Sequence, residues 1–199
     1  MGTRGLMGFR KNSVDKLTYN HWDNYPSGVG IDILSILKKT TINKLNEVFD
    51  RIILVEEHSK PTEKEIKECE KWSNLKVSTQ VIDDWYCLLR NVQGDIDSYI
   101  EGGLRYMIDS KDFIRDSLFC EWGYIINLDK NVLEVWVGFQ NIPNKDRYSK
   151  LGAYESHSGE NYYPCRLQNE FDLNNLPSEE EFESLCNHPY HLVEGKDEN

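Results

Sequence analysis

The first thirty residues constrain this chain more than any other segment. Thr3-Arg4-Gly5-Leu6-Met7-Gly8-Phe9-Arg10 reads as a strand, Lys11-Asn12-Ser13 as a turn and Val14 to His21 as a second strand. A lone two-stranded hairpin is marginal in water, so the rest of the chain must add strands or helices to it. The clearest further β signal is Trp122 to Gln140, where Trp122–Leu128 and Val132–Phe139 flank the polar Asp129-Lys130-Asn131. β-branched and aromatic residues around a short polar turn predict a second hairpin. Tyr162 to Phe171 offers one more strand.

Between the hairpins the apolar spacing turns helical. Ile33, Leu34, Ile36 and Leu37 fit a helix over 31–39, with a strand as the alternative. Thr41 or Asn43 can cap a second helix carrying Leu45, Val48, Phe49, Ile52 and Ile53 as its apolar stripe. Thr62 with Glu65 fits a capping box at the start of a charged helix. Asp83 to Val92 reads as a buried helix, Asp95 to Glu101 as a short one ended by Gly102-Gly103, and Leu104 to Ile108 as either helix or strand. Pro143 to Gly159 is rich in turn residues and reads as a loop. Ser178 with Glu181 opens a last short helix. Hairpins separated by a helical block predict an α+β fold: an antiparallel sheet built from the N-terminal and C-terminal hairpins and covered by the central helices. One domain over 1–192 and a frayed acidic tail over 193–199 are expected.

Charge narrows the partners. The chain has 34 acidic and 23 basic residues, a net charge of −11. Phosphate backbones need a basic face, so direct nucleic-acid binding is not expected. The imbalance is concentrated at the end: residues 170–199 hold nine acidic side chains and one basic one. Residues 1–10 lack the apolar stretch of a secretory leader, no run is long enough to span a membrane, and Leu6 stands where a myristoylation motif wants Ser or Thr. Five scattered cysteines without a CxxC pair read as reduced thiols, which predicts a cytoplasmic protein.

The densest chemistry follows the first hairpin, in Tyr19-Asn20-His21-Trp22-Asp23-Asn24-Tyr25-Pro26-Ser27-Gly28-Val29-Gly30. His21 fits a general base oriented by Asp23 or by a distant carboxylate, and Asn20 or Asn24 a donor to a developing oxyanion. The plainer reading is a strand end whose Asn and Asp residues satisfy a turn. Arg4, on the adjoining strand, fits a clamp for an anionic group. Three weaker constellations are Cys186-Asn187-His188-Pro189-Tyr190-His191, Asp83-Asp84 with Asp95 and Asp97, and Ser156-His157-Ser158-Gly159 beside Glu56-Glu57-His58. The first lacks zinc-finger spacing, the second suits helix N-termini, and the third lacks a strand-to-helix nucleophile elbow. No metal or cofactor is expected.

The pattern Thr3-Arg4-Gly5, Gly8-Phe9, Lys16, Tyr19-Asn20-His21, Asp23, Tyr25-Pro26 and Gly28-Val29-Gly30 resembles an uncharacterised family associated with bacteriophages, bacteria and some fungi. Cys120 to Leu128 and Leu133-Glu134-Val135 look like its second shared block. The resemblance carries no activity. It implies a phage- or mobile-element-type accessory protein, one that binds a host protein or a small anionic ligand and can serve as an inhibitor of host defence. The opening is also similar to the first hairpin of N-terminal-nucleophile amidohydrolases of the bile-salt and penicillin-V acylase group. There Thr3, Asn20, Asp23 and Tyr25 match the family's pattern, while Gly2 stands at the nucleophile position. Thr3 could attack an amide only after removal of Met1 and Gly2. The sequence therefore predicts a binding protein rather than an enzyme, with Arg4, Tyr19, Asn20, His21, Asp23 and Tyr25 as its ligand site. The catalytic alternatives are Thr3 as an amide-cleaving nucleophile, and a metal-dependent hydrolase built on His21 and Asp23.

Overall fold

The first turn sets the geometry from which the sheet grows. Asn12 and Ser13 both take positive φ, 52° and 62°, the hairpin conformation whose twist matches its flanking strands. The Asp129 carboxylate stabilises it by accepting from the backbone N–H groups of Asn12 at 2.6 Å and Ser13 at 2.9 Å. Those two bonds, Ser13's first, hold the Asp129 carboxyl below the usual carboxylate range.

The computed structural model describes residues 2–74, 84–155, 159 and 161–187. In chain order the elements are β1 (Gly5–Lys11), β2 (Val14–Asn20), α1 (Ile31–Leu37), α2 (Ile42–Arg51), β3 (Ile53–Val55), α3 (Glu63–Cys69), α4 (Trp85–Leu88) and α5 (Asp97–Ile100). Then come β4 (Tyr106–Ile108), β5 (Trp122–Asn127), β6 (Val132–Val137), β7 (Tyr154–Glu155), β8 (Asn161–Tyr162), β9 (Arg166–Asp172) and α6 (Glu179–Cys186). The main sheet has five strands in the order β2-β1-β5-β6-β9. The fold is α+β and the sheet mostly antiparallel, as expected, with one departure. The two hairpins meet through a parallel pairing of β1 with β5, Gly5 opposite Trp122 and Phe9 opposite Ile126. β3 and β4 form a second, two-stranded parallel sheet.

Local chemistry explains most boundaries. Thr41 caps α2 by accepting from Lys44 N–H at 3.2 Å, and Thr62 and Glu65 close the capping box of α3. Ser178 accepts from Glu181 N–H at the start of α6. The α2 stripe ends sooner than its periodicity suggests: Ile53 leaves the helix, enters β3 and is exposed. The helix expected over 83–92 is only one turn long. Asp84 caps α4 through Cys87 N–H, and a 3₁₀ turn at Arg90–Val92 follows. Leu104 to Ile108 resolves as strand β4. The stretch from Pro143 carries a 3₁₀ turn at Arg147–Leu151 and the short strand β7. The tail over 193–199 and the residues His188 to His191 lie outside the described residues, as do Asp83 and Ser156-His157-Ser158.

Alternation along the strands gives the sheet two different faces. Met7, Phe9, Tyr124, Ile126, Leu133 and Val135 pack with the buried residues of the helices in one apolar core. Leu6, Leu17, Ile125 and Trp136 face the other way, under Ile114, Cys120, Tyr148 and Cys165. The central helices thus cover one face, and the 3₁₀ turns at Lys111–Arg115 and Arg147–Leu151 supply a cover for the second. That second face also buries charge. Glu134 is wholly buried and accepts from Asn127 Nδ2 at 2.6 Å, Trp136 Nε1 at 3.0 Å and both Arg147 terminal nitrogens at 2.7 and 2.5 Å. Arg147 stacks between the Trp136 and Tyr148 rings at 4.6 Å from each centroid. Tyr148 donates to Asp15, which pairs with Arg10 at 2.8 Å.

Burial pushes the Glu134 carboxyl up, but the Arg147 hydrogen bonds and charge outweigh it and hold the group below its ordinary range. A carboxyl depressed by folding stabilises above its unfolded value, and that stabilisation is lost as pH falls through the folded one. Removing one partner of a buried pair leaves an uncompensated charge, which costs roughly 3–5 kcal/mol. Arg147→Ala is therefore expected to lose about that much in urea unfolding at pH 7. The gap between wild type and Glu134→Gln should narrow as the pH is lowered through the acidic range.

Candidate functional site

The polar block after β2 forms a rigid loop, and its asparagines build it. Asn24 is completely buried, and its Nδ2 donates to the carbonyls of Thr3, Asn20 and Trp22 at 3.1, 3.1 and 3.4 Å. Asn24 N–H also bonds Thr3 O, and the Tyr124 hydroxyl donates to Asn24 O at 2.8 Å. Asn20 is equally buried and donates to Trp22 O at 2.6 Å. Only glycine fits at position 5, because a Cβ there would stand 2.0 Å from Trp122 O and 2.9 Å from Asn24 Cγ. Asn20 and Asn24 are therefore framework, and the loop they fix presents its other side chains outward.

Those side chains divide into two groups. Asp23, with φ of 53°, accepts from the Tyr25 hydroxyl at 2.8 Å on the exposed tip. That bond raises the Tyr25 phenol above its ordinary value. The second group is Tyr19, His21 and Arg4. The Tyr19 hydroxyl lies 2.6 Å from His21 Nδ1, and the His21 ring stands edge-on to Trp22 at 4.3 Å. Burial, then the positive charges of Arg4 and Arg90, lower the His21 pKa. Burial raises the Tyr19 phenol, partly offset by Arg4. At neutral pH both are uncharged, and a Tyr19 hydroxyl donating to Nδ1 leaves His21 Nε2–H as an outward donor.

The Arg4 side chain makes no hydrogen bond or ion pair among the described residues. Its guanidinium lies over the Phe119 ring, 5.2 Å from the centroid. Arg90 lies over Tyr86 at 5.3 Å and donates to Gln93. The charge of Arg4 also reaches the Asp116 carboxyl: burial raises that group, while backbone N–H groups of Phe119 and Leu118, and Arg4 itself, lower it. Behind Tyr19 there is only a void of about 10 Å³, lined by Glu57, Leu89 and Gln93 among others, room for roughly one water. A ligand would therefore meet this cluster from the surface.

The structure brings together Arg4, Tyr19 and His21 of the expected site. It assigns Asn20 to the framework and leaves Asp23 paired with Tyr25, without a hydrogen bond to His21. Thr3 serves through its carbonyl. Among the described residues no three His, Cys, Asp or Glu side chains cluster as metal ligands. Sequence reasoning missed Arg90, Tyr86 and Phe119, which no motif ties to the first hairpin. It also missed a cleft of about 410 Å³ over the buried network, lined by Arg10, Asn127, Lys130, Asp146 and Arg147. The polar groups of that cleft are largely spent on one another: Arg10 on Asp15, Lys130 on Glu170, Arg147 on Glu134 and Asp146 on Leu167 N–H.

No protein-family model, curated protein or solved structure matches the chain.

Because Asn24 supplies the donor for three carbonyls, Asn24→Ala should cost about 1–3 kcal/mol of stability through unsatisfied buried acceptors. Chemical denaturation measures that loss. The His21 and Trp22 resonances, held by the same loop, should broaden or shift together in the folded variant.

Proposed function

We propose that this chain is a non-catalytic binding protein of the accessory kind carried by phages and mobile elements. It grips an anionic group, on a host protein in the host cytoplasm or on a small ligand, with Arg4. Arg90, Tyr19 and His21 surround that group. The observation that carries the reading is Arg4, a half-buried guanidinium without an ion pair, set beside a neutral Tyr–His pair that offers hydrogen bonds without competing charge. Arginine and aromatic residues are the side chains that dominate binding energy at interfaces. Here Trp22 and Tyr25 stand exposed on a loop pinned from within. Such a loop loses little entropy on binding.

The catalytic alternatives have less support. A hydrolytic dyad needs His21 oriented by Asp23, but His21 Nδ1 bonds Tyr19 and Asp23 bonds Tyr25. An N-terminal nucleophile at Thr3 needs Gly2 removed. A Cβ at position 2 would stand 2.5 Å from the Trp22 ring, which shows how closely residue 2 is packed.

An anion beside Arg4 and Arg90 offsets the charges that depress His21, so binding should raise the His21 pKa. Affinity should then strengthen as pH falls through the interval between the free and bound values, because the bound state takes up the proton. NMR titration of the His21 ring with inorganic phosphate, and separately with acetate, tests this. Arg4→Ala should weaken the response about tenfold or more, the worth of a charge-assisted hydrogen bond. A His21 ring indifferent to both anions would overturn the reading.

A further inference from the structure

Arg4 and Glu121 occupy neighbouring positions just ahead of the paired strands β1 and β5. Glu121 N–H bonds Arg4 O at 2.9 Å, and Gly5 then pairs with Trp122. Residues side by side in adjacent strands share a face. Yet neither side chain forms an ion pair or hydrogen bond among the described residues, and Arg4 turns to Phe119 instead.

Beside this pair the surface exposes aromatic groups. Phe119 is 43% exposed and Phe139 57%. Phe139 also sits at φ of 56°, in the left-handed region that bulky residues avoid. The loop enforces that conformation. Gly138 N–H bonds Glu121 O at 2.8 Å, Phe139 N–H bonds Ser117 O at 2.6 Å and Gln140 N–H bonds Ser117 Oγ at 3.1 Å. A Cβ at position 138 would stand 2.1 Å from Cys120 O, so only glycine lets the two segments close. A strained backbone thus holds a large apolar ring exposed, and no ring contact among the described residues covers it.

We propose that this end of the sheet is a two-fold interface with a second copy of the chain, in which Glu121 of each copy supplies the carboxylate that Arg4 of the other receives. The inference rests on the reading of Arg4 as an anion-gripping residue and names the anion. A two-fold contact needs a self-complementary surface, where residue i meets j and j meets i. One cation and one anion, side by side and without an ion pair among the described residues, next to the exposed Phe119 and Phe139, meet that requirement. The excess acidity does not oppose it, since nine of the 34 acidic residues lie in residues 170–199 and screening weakens repulsion over distance. Free anions compete with Glu121 for Arg4, which makes association sensitive to ligand.

Sedimentation velocity over a concentration series of the full chain tests the proposal. Wild type is expected to show a monomer–dimer equilibrium. Arg4→Glu and Glu121→Arg should each weaken dimerisation about tenfold or more by placing like charges together, and the double exchange should restore it. Phe139→Asn should abolish the dimer while raising the monomer's melting temperature, because Asn accepts the left-handed conformation. That rise separates a lost interface from a damaged fold. A wild type that stays monomeric throughout, or a dimer indifferent to both single charge reversals, overturns the interface. Phosphate titration of His21 in the same samples then shows whether the Arg4 reading falls with it.

Discussion

The parallel pairing of β1 with β5 is the constraint on which the rest of the molecule depends. Antiparallel neighbours can be joined by a two-residue turn, but parallel strands need a long return path. Here that path is residues 12–121, and it contains β2, every helix but α6 and the small parallel sheet. Both hairpins are local in sequence, yet neither is more than marginal by itself in water. What joins them is a register between Leu6 and Gly123 and between Gly8 and Ile125, fixed only when the intervening helices have packed. Contacts of such sequence separation slow folding, because the loop entropy is spent before the contacts form.

The two faces of this sheet are held by different physics. One is apolar, with Met7, Phe9, Tyr124 and Val135 against the helices, and its stabilisation scales with the area removed from water. The other buries Glu134 and Arg147 together with Trp136 and Tyr148. A buried ion pair is not a cheap substitute for apolar contact, since desolvation offsets most of its Coulomb energy. What it supplies is direction. A bidentate guanidinium fixes where the 3₁₀ turn at Arg147–Leu151 sits over the strands, and an apolar contact would not specify that placement as sharply.

Much of this was legible because it is local. The hairpins, the caps at Thr41, Thr62 and Ser178, and the turn at Asp129-Lys130-Asn131 are written in adjacent residues. The parallel β1/β5 join was not, since hydrophobic alternation reports which face a strand buries and not the direction of its neighbour. The burial of Glu134 was not legible either, because its partner Arg147 lies thirteen positions on and the residues that cover that face, Ile114, Cys120, Tyr148 and Cys165, come from separate segments. For the candidate site, the sequence marked a dense polar cluster, and the structure shows what its members bond. Asn20 and Asn24 look like functional donors, yet burial spends them on backbone carbonyls, and Arg90 and Phe119 reach Tyr19, His21 and Arg4 from segments with no motif of their own.

The proposed site and the proposed interface share one end of the sheet. Arg4 and Glu121 stand at the entry to the two central strands, where the backbone is most firmly held, and the loops around them carry side chains the core does not need. Loops on a rigid scaffold are where binding residues collect. Phe139 sharpens the point. A bulky residue in the left-handed region costs roughly 1–3 kcal/mol, and an exposed ring recovers none of it by burial. Within the chain that cost is carried by the bonds of Gly138, Phe139 and Gln140 to Glu121 and Ser117, and the proposed two-fold contact would add burial of the ring to them. The surface beside Arg4 is therefore where a second copy would add most, because it leaves the Phe119 and Phe139 rings exposed next to a guanidinium with no ion pair among the described residues.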